Sequence, residues 1–250
     1  MSDRQNKHIK RMLSKVWGSR ERGEYSDLKL VCDDGTKFDV HKLMLCSKSP
    51  VFRAACTGNF KESFPAFSLI LTNLARVQEA AESTYHMLGE STPVVKKMLE
   101  YLYQGDYSEE LSESLSNDGN LSDESLKTPV SAMSALQLHA RLFALGDKFI
   151  IPQLCATAVA KYRDRIRKQF NALEYLDSMP DVFFSILSHN DKLQSTAVQF
   201  ASTQLESALE DEPVRTKYDS IAIQVPQFVK KTLDFYFDES PQCHDCGDQG

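Results

Sequence analysis

Two short runs of alternating apolar residues, joined by an Asp-Gly pair and followed at once by a helical pattern, constrain this chain more than any other feature. In LKLVC, residues 28–32, Leu28, Leu30 and Cys32 share one face of a strand, because side chains alternate along an extended backbone. Asp34-Gly35 is the pair that a tight hairpin turn favours. KFDV then returns with Phe38 and Val40 toward the core side. Cys32 reads as a small apolar residue facing that core. A short hairpin followed by helices is the frame in which the remaining residues have to be placed.

His41 follows the second strand directly. Leu43, Met44 and Leu45 begin a helix that breaks before SKSP. Ser49 reads as an N-cap and Pro50 as the first residue of a second helix, with Val51, Phe52, Ala55 and Cys56 on one face. One histidine and two cysteines fall in this stretch, so a metal site and a Cys/His nucleophile compete with a plain apolar helix pair. Spacing favours the helix pair. His41 and Cys46 stand about 140° apart around a helix. Cys46 and Cys56 are separated by the break. No carboxylate or second histidine sits at helical spacing from either.

Further on, Thr92 caps and Pro93 opens a helix whose buried stripe is Val94, Val95, Met98, Leu99 and Leu102, and Gly105 stops it. Tyr101, Tyr103 and Tyr107 gather around the stop, either as a contact surface or as half-buried packing. Residues 108–131 are rich in Ser, Asp, Glu and Asn and read as a loop or disordered insert. Ser122 is a candidate phosphorylation site there, set against a solvated loop with no switching role. Helices dominate afterwards. Leu138, Leu142, Leu145 and Phe149 form one stripe, with His139 as a packed or surface helix residue. Leu154, Ala158, Val159 and Tyr162 form the next. Lys161, Arg163, Arg165, Arg167 and Lys168 suit the negative end of that helix. Three more helical patterns run over 171–187, 192–209 and 226–237.

Net charge is −6, which argues against nucleic acid as a direct partner, since phosphate binding needs a basic face. No apolar run is long enough to span a bilayer. The N-terminal residues lack the apolar core of a secretory signal, so the expected location is intracellular, in the cytoplasm, the nucleus or both. The six cysteines then read as thiols. Residues 1–24 form a polar, basic N-terminal segment: either an amphipathic helix carrying Ile9, Leu13, Val16 and Trp17, or a partly ordered tail. At the other end, Cys243 and Cys246 with His244 make half of a zinc knuckle. They are weak metal candidates, because a closed structural site needs four ligands. No phosphate loop, nucleophile elbow, HExxH or EF-hand pattern occurs, and no cofactor is expected.

The spaced segments resemble the BTB/POZ family. Ser26-Asp27, Phe38, Val40, His41, Lys42, Leu45, Ser49 and Phe52 match its strand, F-x-V-H-K and L-x-x-x-S-x-x-F pattern. VVKKMLEYLYQGDY, with Tyr103, Gly105 and Tyr107, is similar to its next helix and terminal Y-x-G-x-Y. Residues 138–162 resemble its closing helix hairpin. The style is most like BTB proteins of filamentous fungi. The resemblance implies an α+β fold, a small β-sheet flanked by helix hairpins, over residues 25–165, then a helical extension over 166–238 and a flexible tail over 239–250. Gly146 departs from the family's Ala, a change expected to cost a little helix stability. Residues 64–83 intervene where the family passes directly to a strand. Ser83–Glu90 would supply that strand, and the intervening stretch is compatible with a retained intron in the gene model.

The family implies an interaction module: protein partners, a homodimer, and no catalysis. Its more specific form is a substrate adaptor for a cullin-type ubiquitin ligase. The alternative is a transcriptional or chromatin-associated regulator that recruits corepressors. Asp27, His41 and Lys42 either line a partner groove or, like Phe38, Ser49 and Phe52, hold the hairpin against the helices.

Overall fold

A computed structural model describes residues 3–57, 83–110, 133–184 and 191–239. Most of the 64–83 stretch, residues 111–131 with Ser122, and the Cys243/Cys246 pair lie outside the described residues. The described elements, in chain order, are α1 (Asp3–Glu21), β1 (Leu28–Cys32), β2 (Lys37–Val40), α2 (Lys42–Cys46), α3 (Pro50–Thr57), β3 (Thr84–Met87) and α4 (Thr92–Gln104), then α5 (Ala135–Lys148), α6 (Pro152–Lys168), α7 (Ala172–Phe184), α8 (Lys192–Ala208), α9 (Glu212–Gln224) and α10 (Pro226–Glu239). This is an α+β fold: one three-stranded sheet among the described residues, and helices elsewhere.

The hairpin forms where the alternation places it. β1 pairs antiparallel with β2, Leu30 opposite Phe38, and the buried side is Leu28, Leu30, Cys32 and Val40. The Gly35 nitrogen donates to the Cys32 carbonyl at 2.9 Å, and Gly35 has φ of 83°, a left-handed conformation that glycine adopts freely. β3 lies on the other side of β1 and runs parallel to it, Leu30 opposite Tyr85, so the sheet order is β2-β1-β3. Ser83–Glu90 thus holds the strand expected of it.

The chain divides into two compact units. The first is Met1–Ala132 with Ala144–Thr157; the second is Met133–Phe143 with Ala158–Gly250. Helices α5 and α6 contribute residues to both. In the first unit, Phe52 stacks on Phe149 with centroids 4.4 Å apart and planes 9° from parallel, and Tyr85 meets Phe52 edge-on at 5.3 Å. Ser49 fixes this cluster. Its hydroxyl accepts from the Phe52 nitrogen as an N-cap and donates to the Phe149 carbonyl at 2.6 Å. In the second unit, Tyr162 bonds the Ser178 hydroxyl and Tyr175 donates to the Ala197 carbonyl, both at 2.8 Å.

Several details differ from the sequence expectation. Of the two readings left open for the N-terminal segment, it takes the helical one rather than the tail: α1 packs on α4, with Leu13, Val16 and Trp17 half-buried and Ile9 exposed. On α3 the buried set is Val51, Phe52 and Ala54, while Ala55 and Cys56 are half-buried. The cap position of α4 is Ser91, which makes no side-chain cap bond, while Thr92 lies inside the helix and turns its hydroxyl to Asp34 Oδ2. Among the described residues, four helices follow α6 rather than three. The one not anticipated, α9, buries only Val214 and Ile221 and leaves Ile223 84% exposed, so it shows no clear stripe.

Candidate functional site

Asp27 and Lys42 come together at the start of β1. The Asp27 nitrogen donates to the Val40 carbonyl at 3.1 Å, which sets the residue at the head of the hairpin. Its carboxylate Oδ1 then accepts from the Lys42 backbone nitrogen at 2.7 Å. A carboxylate at the first N–H of α2 is favoured there by the positive end of the helix. His41, the N-cap, makes no side-chain cap bond of its own, so Asp27 supplies the missing acceptor.

Beside this pair opens a recess of about 600 Å³. Its charged lining is Asp27, Asp39, Lys29, Lys37 and Lys42, three cations against two anions, with Ser26, Leu28, Ser83 and Thr84 completing the wall. Lys42 Nζ lies 3.4 Å from the Ser83 hydroxyl, and the Lys29 nitrogen donates to the Ser83 carbonyl at 2.8 Å. The recess is rich in mixed charge, with Leu28 as its one apolar side chain. That chemistry suits the polar rim of a protein contact better than a small apolar ligand.

His41 points elsewhere. Its Nδ1 meets the Tyr103 hydroxyl and its Nε2 meets the Glu24 carbonyl, each at 2.9 Å. Tyr103 in turn presents its ring edge to Trp17 of α1 at 5.7 Å. Arg20, 8% exposed, lies with its guanidinium 4.3 Å from the Trp17 ring centre and 5.8 Å from that of Phe38. Burial lowers the Arg20 pKa from its ordinary value. Phe38 is therefore half-buried under the end of α1. Gly105 has φ of 80° and its nitrogen closes α4 on the Tyr101 carbonyl at 2.8 Å. Tyr101, Tyr103 and Tyr107 are all buried, which makes them packing residues. Burial pushes the Tyr107 phenol well up, with Asp106 and Glu109 nearby adding to it.

Among the described residues, the side chains of the opening helices do not assemble a catalytic or metal centre. Both ring nitrogens of His41 are engaged away from the cysteines. Cys46 and Cys56, which the helix break separates in sequence, do meet: burial, then the Cys46 thiol bonded to it, push Cys56 up to about 12. A thiol held protonated in this way is a poor nucleophile. Among the described residues, no group of three or more His, Cys, Asp or Glu side chains is arranged to hold a metal ion. No helix among them is long and apolar enough to cross a membrane.

The order of these parts, a hairpin, a helix pair capped by a serine, a parallel third strand and a helix closed by glycine, is matched by the family model of the BTB/POZ domain over residues 18–123. Residues 18–123 are a BTB/POZ domain. No curated protein matches the chain. A BTB/POZ domain is a protein-interaction module, and within it the motif residues divide by their contacts. Phe38, His41, Ser49, Phe52 and Tyr103 each contact another element of the fold, Gly105 closes α4, and Tyr107 is buried. Asp27 contacts α2 through its carboxylate and also lines the recess with Lys42. Lys29, Lys37 and Asp39 were not anticipated as lining residues. Their alternation along β1 and β2 was the available signal, since polar residues of a hairpin share the face away from the core.

Proposed function

We propose that this chain is a non-catalytic interaction scaffold that works as a homodimer and, more specifically, as a substrate adaptor for a cullin-type ubiquitin ligase. The observation that carries this reading is the BTB/POZ match at residues 18–123 in a chain that continues as helices to Glu239. Residues 25–165 form the BTB region. The BTB face binds the cullin, and residues 166–238 extend that face or hold a target. The charged recess at Asp27 and Lys42 adds a mixed-sign groove for a protein partner. Helix α1 supports the dimer: Ile9 and Met12 are 42% and 55% exposed, an apolar strip that an isologous contact covers. The partners are proteins rather than nucleic acid, in keeping with the net charge of −6. No cofactor enters this reading, and the protein acts in the cytoplasm, the nucleus or both.

The test is affinity purification of the tagged full-length protein from its own cells, with mass spectrometry of everything retained. A cullin recovered in near-equal amount supports the adaptor role. Recovery of only the protein itself, or of nuclear corepressors, overturns it in favour of a dimeric scaffold or a transcriptional regulator.

A further inference from the structure

Within the second compact unit, the last turns of α6 and the middle of α8 enclose an open groove of about 280 Å³. Arg163 and Arg167 stand on the α6 wall. Four residues apart, they share one face of the helix and lie about 6 Å apart along its axis. Both are exposed, and among the described residues neither donates a hydrogen bond or closes an ion pair. Their neighbours differ. Arg165 is held by Glu174 at 3.2 Å and by Gln169, and Lys168 by Asp164 at 2.9 Å. The basic run is therefore not one uniform solvated helix end. Arg165 is tied to α7 and Lys168 pairs with Asp164 on the exposed surface of its own helix, whereas Arg163 and Arg167, with Asp164 nearby, line a groove.

The rest of the lining fits that pair. No carboxylate contributes to it. The side-chain amides of Gln199 and Gln204 offer neutral donors from the α8 wall. Between the walls lies Phe200, half-buried, with its ring 5.0 Å from Phe170 and 5.8 Å from Tyr175. We propose that this groove binds an acidic peptide segment of a partner protein, carboxylates on Arg163 and Arg167 and an apolar side chain against Phe200. Guanidinium takes a carboxylate in a bidentate, charge-assisted fork. Two arginines in a chain of net charge −6 are too few for a phosphate backbone, which rewards a long basic face. The groove lies outside the matched BTB/POZ residues and stands whether or not the chain is a cullin adaptor.

Fluorescence anisotropy of the full-length protein with a labelled peptide alternating Glu and Leu reads the site directly. The expected result is saturable binding that weakens with added salt. Arg163→Glu with Arg167→Glu is expected to weaken it at least about tenfold, equivalent to about 1.4 kcal/mol, with the circular dichroism spectrum unchanged. The milder Arg163→Gln/Arg167→Gln pair moves the same way, while Lys29→Glu/Lys37→Glu in the other unit leaves binding as it was. Absence of saturable binding, equal binding by the charge-reversed protein, or equal binding of a Gln-Leu peptide overturns the proposal. So does single-stranded DNA that displaces the peptide at lower concentration than the unlabelled peptide itself.

Discussion

The Tyr103 hydroxyl sits 2.8 Å from the backbone nitrogen of His41 and 2.9 Å from its Nδ1, although 62 residues separate the two in sequence. A carbonyl only accepts, so His41 Nε2, 2.9 Å from the Glu24 carbonyl, carries the ring proton. Nδ1 then accepts from the phenol, and the phenol accepts from the His41 N–H. One hydroxyl links α4 to the β2–α2 junction, and the imidazole carries the path on to the residues after α1. Tyr103→Phe keeps the ring and its contact with Trp17 but leaves two groups of His41 without a partner. The expected loss is about 1–3 kcal/mol in a urea titration. His41→Ala and the double variant complete a cycle, and the two losses should fall clearly short of additive. Additive losses would mean that the pair is not coupled.

Ser49 carries two bonds from one oxygen, to the Phe52 nitrogen at 3.1 Å and the Phe149 carbonyl at 2.6 Å, and is 1% exposed. Ser49→Ala removes a helix cap and strands a buried carbonyl beside the Phe52–Phe149 stack. Caps contribute about 1 kcal/mol and an unsatisfied buried acceptor about 1–3. The variant should therefore lose about 2–4 kcal/mol, read from the shift of the denaturation midpoint. A loss of a few tenths would show that a neighbouring group takes over both roles.

Local rules made much of this fold legible. Asp34-Gly35, Ser49-Pro50, Pro93 and Gly105 each act on their own few residues, and each marks a turn, a cap or a stop in the structure. What the sequence hid depends on distant partners. The His41–Tyr103 bonds and the parallel pairing of β3 with β1 need chain segments that no periodicity relates. Helix α9 hid for a different reason, since two buried residues make no stripe. The basic end of α6 was legible as a helix end, because the dipole argument uses position alone. Which cations close ion pairs there depends on where Glu174 and Asp164 reach.

Gly146 shows how a packing constraint can look like a minor helix defect. A Cβ at this position of α5 would meet Cys155 Sγ at 2.9 Å, the Cys155 backbone nitrogen at 3.3 Å and Leu154 Cγ at 3.3 Å. Alanine would gain up to about 1 kcal/mol of helix propensity, but overpacking a core costs about 1–3 kcal/mol. Gly146→Ala should thus be neutral to destabilising by about 2 kcal/mol, in a calorimetric scan. Adding Cys155→Ala removes the closest contact and should recover part of the loss. A clearly stabilised single variant would show that α6 moves aside at little cost.

Tyr85 makes stability sensitive to alkali. Burial, with Cys56 and Glu90 nearby, raises its phenol from the ordinary 10.0 to about 12. The residue is 7% exposed in the edge-on contact with Phe52. A phenol whose pKa is higher in the folded state stabilises the fold fully below pH 10, and that contribution drains away as pH rises toward 12. The unfolded chain ionises first and is pulled ahead. The gap corresponds to about 3 kcal/mol. Tyr103 and Tyr175, also raised by burial, add to the same loss. Urea midpoints taken between pH 9 and 12 should fall steeply in the parent protein and less steeply in Tyr85→Phe, which cannot ionise there. Parallel curves for the two proteins would show that Tyr85 reaches solvent before the chain unfolds.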